Sequence, residues 1–356
     1  MNGLVTAKPS SMRSVAAPQA ASMTHVELVR HAEKIGYNTA WIPDQTFFRD
    51  PYVAHLEPRH ADVLAQQHVS AVRDEALVRL LTLESETGGL LDCALHEPAA
   101  GDVASTPVVI HLHGKGGNFY TGPCRFVPLL TRGQDVAHLS INFDCHDLGY
   151  IPYYPHADAE GGRVRGGMWE RIAEGWQAVA AAVAFARERG HRRIFLSGHS
   201  AGGFYAADYA AGHGPLDGVI LLSPVVTFQS FLRTWFPDRS ALEATAERAG
   251  DMVDTGVGHY LIPLCAPYFG ISAESLVERV QLPADHLEQR LRGIDCPILF
   301  LWGEAESRHQ LWGEIYDRLE SPVKTRLTIP GAGHHYSGAE QRVADAVVAF
   351  VHAPAG

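Results

Sequence analysis

Lysine is scarce in this chain, clusters of basic residues are missing, and no apolar stretch comes near the roughly 20 residues that a membrane-spanning helix needs. The lysines are Lys8, Lys34, Lys115 and Lys324, and the formal net charge is -11. Nucleic acids and anionic membranes are bound chiefly through grouped Lys and Arg, so neither is expected as a partner. Cysteine is sparse too. Cys93, Cys124, Cys145, Cys265 and Cys296 are scattered and never spaced as CxxC. An odd, dispersed set speaks against a disulfide framework and for reduced thiols in a cytoplasmic protein. The first 22 residues are rich in Ala, Ser and Pro, but Pro18 and Gln19 interrupt their only mildly apolar part, so no secretory h-region forms. Residues 1–24 read as a disordered leader.

What is present suffices for a large core. Of 356 residues, 46% are apolar and 19% charged, ordinary values for a soluble globular protein. A single α/β domain commonly takes about 250 residues, which leaves room for an extension or an insertion. From residue 70 onward, strand and helix patterns alternate, as in a mostly parallel sheet covered on both faces. Residues 76–84 (ALVRLLTLE) and 90–96 (LLDCALH) flank Thr87-Gly88-Gly89 and predict an antiparallel hairpin. Six short runs dense in Val, Ile, Leu and Phe follow, at 107–112, 136–143, 193–197, 218–223, 297–302 and 325–329. They read as buried parallel strands. Trp169, Ile172, Trp176, Val179, Val183 and Ala186 recur at helical steps, with Gly190 as the stop. Val343, Val347 and Phe350 mark a C-terminal helix. Residues 224–295 are too long for a simple connection and carry helical patterns of their own, so they predict a helical cap inserted after the sixth strand. The core is then 66–223 with 296–356.

The chemistry centres on Gly198-His199-Ser200-Ala201-Gly202-Gly203, preceded by the apolar run Ile194–Ser197 and followed by a helical pattern. In that strand-turn-helix setting, G-x-S-x-G places a serine on a tight turn at a helix N-terminus. Glycines at 198 and 202 avoid clashes there, and the helix dipole with its free N–H groups favours an oxyanion. A second strand, 107–112, runs into His113-Gly114-Lys115-Gly116-Gly117.

The strand order, the serine turn and the His-Gly loop together resemble the α/β-hydrolase superfamily over about residues 70–352. The resemblance implies an eight-stranded, mostly parallel sheet flanked by helices. It implies that the amides of Lys115 and Ala201 form an oxyanion hole, while the Lys115 side chain reads equally as a solvated charge or a substrate contact. It also implies an order of serine, acid, histidine. Ile329-Pro330-Gly331-Ala332-Gly333-His334-His335-Tyr336 follows the last strand and supplies the base at His334, with His335 as the competing candidate. Trp302-Gly303-Glu304-Ala305-Glu306 supplies the acid at Glu306, where the family usually has Asp, with Glu304 as the fallback. Residues expected to border the substrate are His113, Gly114, Asp144, His146, His199, Trp235, Phe236 and Tyr336. The spacings of His111, His113, His146, His156 and Asp158 match no zinc signature, so no metal and no other cofactor is expected.

Residues 25–54 stand apart. Ala32-Glu33-Lys34-Ile35-Gly36-Tyr37-Asn38, then Ala40-Trp41-Ile42-Pro43-Asp44-Gln45 and Asp50-Pro51-Tyr52, resemble a fragment of the luciferase-like monooxygenase family. About thirty residues cannot form an eight-stranded barrel, which needs on the order of 250, so flavin binding does not come with it. The segment 25–65 reads as a helix-strand extension packing on the core or on an oligomer partner, which leaves a homo-oligomer open.

The expected protein is a serine hydrolase of carboxylesterase or thioesterase type, cleaving an ester, thioester or lactone of a medium-sized hydrophobic small molecule through an acyl-enzyme on Ser200. An acyltransferase or cyclase would use the same acyl-enzyme. A non-catalytic ligand-binding member of the fold would instead show a broken triad.

Overall fold

A computed structural model of the chain describes residues 78–85, 90–98, 101–143, 145–150, 164–225, 232, 235–236, 238–264, 270–306, 309–319 and 324–353. The leader, the 25–65 extension and Asp144 lie outside these residues.

The chain forms the α/β-hydrolase fold. Strands β1 (Val78–Glu84) and β2 (Leu90–His96) open it as an antiparallel hairpin, followed by β3 (Val108–Leu112), helix α1 (Gly122–Leu130), β4 (Ala137–Ile141) and α2 (Gly175–Glu188). Next come β5 (Ile194–His199), α3 (Ala201–Gly212) and β6 (Gly218–Leu222). After the 224–295 region, β9 (Ile298–Gly303), α7 (His309–Arg318), β10 (Lys324–Ile329) and α8 (Glu340–His352) close the fold. The sheet has eight strands in the order β1-β2-β4-β3-β5-β6-β9-β10, and β2 alone runs against its neighbours.

Alternation along the strands sorts the core into two layers. Val108, Ile110, Leu112, Leu196, Leu221 and Phe300 face one layer with α2 and α3, while Val109, Phe195, Ile220, Leu222, Leu299 and Leu301 face the other with Val127 of α1 and Val343 and Val347 of α8. Strands β3 to β6 and β9 are buried throughout, as sheets covered on both faces require. The edge strands β1 and β10 are largely exposed.

A polar seam crosses the α1 face. Pro128 lies inside α1 and brings no N–H, so the carbonyl of Cys124 loses its helical donor. The Ser140 hydroxyl of β4 donates to that carbonyl at 2.7 Å. Beside it, Thr131 Oγ1 donates to the Val127 carbonyl at 2.8 Å and accepts from His138 Nε2 at 2.8 Å. His138 Nδ1 is then an acceptor, and His111 Nε2 donates to it at 2.9 Å. The direction of every bond follows from the first, and the His138 ring, which donates from Nε2 and accepts at Nδ1, must be neutral. Burial disfavours the charged form of both rings, pulling His138 well below the usual histidine value and His111 down to about 3.

Two elements differ from the sequence reading. The stripe beginning at Trp169 predicts a helix from there, yet α2 starts at Gly175. The backbone N–H groups of Ile172 and Ala173 are taken by the Glu278 carboxylate at 2.7 and 2.8 Å, which holds 164–174 in an irregular path. The 224–295 region contains α4 (Arg239–Asp254), α5 (Ala273–Gln281) and α6 (His286–Arg292), and also an antiparallel pair, β7 (Leu261–Pro263) with β8 (Gly270–Ser272). Its interior is Leu232, Trp235, Phe236, Ala249, Ile262, Ile271, Ala273 and Leu276.

Candidate active site

Ser200 sits between β5 and α3 at φ 55° and ψ -117°, a conformation costly for any residue with a Cβ. It persists because the turn is over-determined. The Ser200 N–H donates to the Leu222 carbonyl at 2.9 Å, and the Ser200 carbonyl accepts from Gly203 and Val225. A Cβ at Gly198 would lie 2.2 Å from the Gly202 carbonyl oxygen, and one at Gly202 would lie 2.3 Å from that of Leu112, so neither glycine can be replaced without moving backbone. Ala201 opens α3, and its N–H has no carbonyl four residues back in the helix to receive it.

The loop after β3 arrives beside this turn. A Cβ on Gly114 would meet Ser200 Cβ at 3.2 Å and His199 Nδ1 at 3.4 Å, so the Gly114 backbone lies against the serine turn. His113 holds the loop. Its Nδ1–H donates to the Gly114 carbonyl at 2.8 Å, its Nε2 accepts from the Phe143 N–H at 3.4 Å, and its ring stacks on Phe143. Burial pulls His113 down to about 4, in keeping with that neutral tautomer. Further bonds tie 116–119 to the strand-end loop of β4, from Gly116 N to the Cys145 carbonyl, Asp147 N to the Gly117 carbonyl and Phe119 N to Asn142 Oδ1. His146 stacks on Tyr150 and bonds Asp147 at 2.9 Å.

At the ends of β9 and β10, Glu306 and His334 meet. His334 Nδ1 donates to Glu306 Oε2 at 2.8 Å, which leaves Nε2 as the unprotonated nitrogen of the neutral ring. Glu306 Oε1 accepts from the Gly303 N–H at 2.9 Å and from the Ser223 hydroxyl. Burial raises the Glu306 carboxyl, but the bonds from His334, Ser223 and Gly303 outweigh it and hold it below the usual range. Glu304 is exposed and turned away, accepting from the Gly331 N–H at 3.0 Å. His335 is exposed, with its ring 5.1 Å from that of His334.

His199 joins the two halves. Its Nε2–H donates to the His334 carbonyl at 2.8 Å, so the residue preceding Ser200 is fastened to the histidine loop. Burial first, then the His334 and His335 charges, pull it well below the usual histidine value. Among the described residues Ser200 Oγ has no hydrogen-bond partner.

Several expectations change. Tyr336 is fully buried, its hydroxyl bonded at 2.6 Å to the Ser223 Oγ that in turn donates to Glu306. Trp235 and Phe236 are buried in the cluster formed within the 224–295 region, with Trp235 also facing Lys115. The Lys115 side chain is not solvated. It is buried and paired with Glu170 at 2.7 Å. Ser223, Glu170, Arg279 and Tyr205 escaped the sequence reading. Ser223 ends a strand next to the serine turn, a position that could have singled it out, whereas Glu170 stands in a helical pattern that mimics an exposed face.

Residues 109–349 match the model of the Alpha/beta hydrolase family, and the chain belongs to that family. Est1E from Butyrivibrio proteoclasticus, in a structure with ferulic acid bound, superposes with a TM-score of 0.57 at 17% identity, covering 76% of this chain and 97% of that one. The Pyrococcus furiosus esterase Pf2001 gives 0.53 at 14% identity, over 90% of this chain and 100% of that one. The hypothetical protein PA2218 from Pseudomonas aeruginosa gives 0.58 at 15% identity, over 78% and 93%. Identities this low speak to the fold alone. Comparison with curated proteins finds no match. Among the described residues, no helix is long and apolar enough to cross a membrane, and no group of three or more His, Cys, Asp or Glu is placed to hold a metal ion.

Proposed function

We propose that the protein is a serine hydrolase that cleaves an ester, thioester or lactone of a medium-sized hydrophobic acyl group, with Ser200, His334 and Glu306 as its triad. The observation that carries the reading is the fastening of the strained Ser200 turn to the Glu306–His334 pair through His199. Ser200 Oγ attacks the acyl carbon while His334 Nε2 takes its proton, and Glu306 holds the ring in the tautomer that makes this possible. The carbonyl oxygen gains charge and is met by the amides of Lys115 and Ala201. His334 returns the proton to the leaving group. A water activated by His334 then attacks the acyl-enzyme and releases the acid. The size preference rests on the apolar composition of residues 224–295, which we read as a cap. We place the activity in the cytoplasm on the cysteine usage.

The test is a fluorophosphonate label with intact-mass and peptide mapping, followed by turnover of p-nitrophenyl esters of graded chain length. One adduct on Ser200 is expected, and Ser200→Ala should lower turnover by at least about 10³-fold with the fold retained. Wild-type turnover by Ser200→Ala would overturn the reading. Added alcohols or amines that divert the acyl group from water would move it to acyl transfer.

A further inference from the structure

The triad leaves one buried ion cluster without a role. The side chains of Lys115, Glu170 and Arg279 are 4%, 2% and 0% exposed. Glu170 Oε2 accepts from Lys115 Nζ at 2.7 Å and from Arg279 Nη2, and Oε1 accepts from the Tyr205 hydroxyl at 2.6 Å. Lys115 Nζ also donates to the Gly167 carbonyl and lies 5.8 Å from the centre of the Trp235 ring. Two cations share one carboxylate in the interior. Such a trio is often no better for stability than well-packed apolar residues, so the fold alone gives little reason to keep it.

Its members come from four parts of the chain. Lys115 follows Gly114, whose backbone lies against Ser200, Glu170 belongs to the irregular segment before α2, Tyr205 to the helix that follows Ser200, and Arg279 to α5. The last is clasped to the 164–174 segment by further bonds: Ser275 Oγ to the Glu170 carbonyl at 2.6 Å, Arg279 Nη1 to the same carbonyl at 3.1 Å, and Arg171 to Glu274 at 2.9 Å. A lysine side chain free in water samples many rotamers, whereas this one is fixed at its far end and so constrains its own peptide.

We propose that Lys115 acts through its side chain as a positioning residue, the Lys115–Glu170–Arg279 cluster holding the Lys115 peptide where its N–H meets the oxyanion, with α5 completing the cluster. This rests on the serine-hydrolase reading above. Donors aimed at developing charge act on the transition state and little on the bound ester. Loss of the cluster therefore lowers kcat and leaves KM nearly unchanged.

Lys115→Met, Lys115→Arg, Glu170→Gln and Arg279→Met are compared with wild type on p-nitrophenyl butyrate, with active sites counted by fluorophosphonate titration and folding followed by thermal unfolding. Lys115→Met should lower kcat per titrated site about 10- to 100-fold with KM within about threefold, and Lys115→Arg should recover most of it. Arg279→Met and Glu170→Gln should change kcat in the same direction, and they carry the test if Lys115→Met does not fold. A lowered unfolding temperature with kcat per site unchanged would reduce the cluster to a structural role and overturn the inference. A wild-type protein that takes no label at Ser200 overturns the hydrolase reading itself, so the two failures are told apart before any variant is made.

Discussion

Glu304 and Glu306 are two residues apart and chemically alike, and the backbone decides between them. Glu306 points into the sheet end and collects bonds from Gly303, Ser223 and His334, whereas Glu304 bridges the exposed Gly331 turn. Glu306→Gln keeps the shape but offers His334 an amide in place of a carboxylate, and kcat should fall at least about 100-fold. Glu304→Gln should stay within about twofold. Steady-state kinetics on one ester checks both, and equal losses would contradict the assignment. The sequence could order these candidates only by spacing from the strand, and the adjacent His334 and His335 only by position in a glycine-rich turn. What separates them, a side chain turned inward against one turned to water, depends on a twist that spacing does not encode.

Elements whose pattern follows from burial on both faces were legible. The runs at 107–112, 193–197 and 297–302 correspond to β3, β5 and β9 within one or two residues, because nothing but a covered strand tolerates such dense branched apolar side chains. Elements that depend on a partner were not. The start of α2 is set by Glu278, which lies about a hundred residues away and appears in no local pattern. Helix α1 shows the same dependence in its energetics. With Pro128 in place, Ser140→Ala would leave the buried Cys124 carbonyl without its donor, a loss of about 1–3 kcal/mol. The double substitution Pro128→Ala with Ser140→Ala supplies a helical N–H instead and should recover part of that loss. Urea midpoints of the two variants check the pair, and equal destabilisation by both would refute it.

At the scale of the described fold, buried histidines make stability depend on pH. His111, His113, His138 and His199 are buried and neutral, with His111 pulled to about 3 and His113 to about 4, whereas an unfolded chain protonates such rings near pH 6.5. Their folded values lie below the unfolded one, so the unfolded state binds more protons as pH falls through 6.5. Stability is therefore full above that pH and declines below it, down to the folded values. Each ring contributes up to about 1.4 kcal/mol per pH unit. Urea denaturation at pH 7.5, 6 and 5 should show a steadily falling midpoint with activity still recoverable on return to pH 7.5, and a flat profile would contradict it. His138→Phe cannot be used to isolate one ring, since it would strand the buried His111 Nε2–H.

Arg279 has one more consequence, for anyone who would graft. Loop exchange between related enzymes treats an inserted segment as a cartridge joined at two cut points. Here residues 274–279 of the 224–295 region place Glu274, Glu278 and Arg279 against the 164–174 segment. A chimera carrying a foreign cartridge without those three side chains would leave Glu170 with one cation and the Ile172 and Ala173 amides unmet. The transplanted segment would then arrive together with a loosened bed beneath it, unless 164–174 travelled with it.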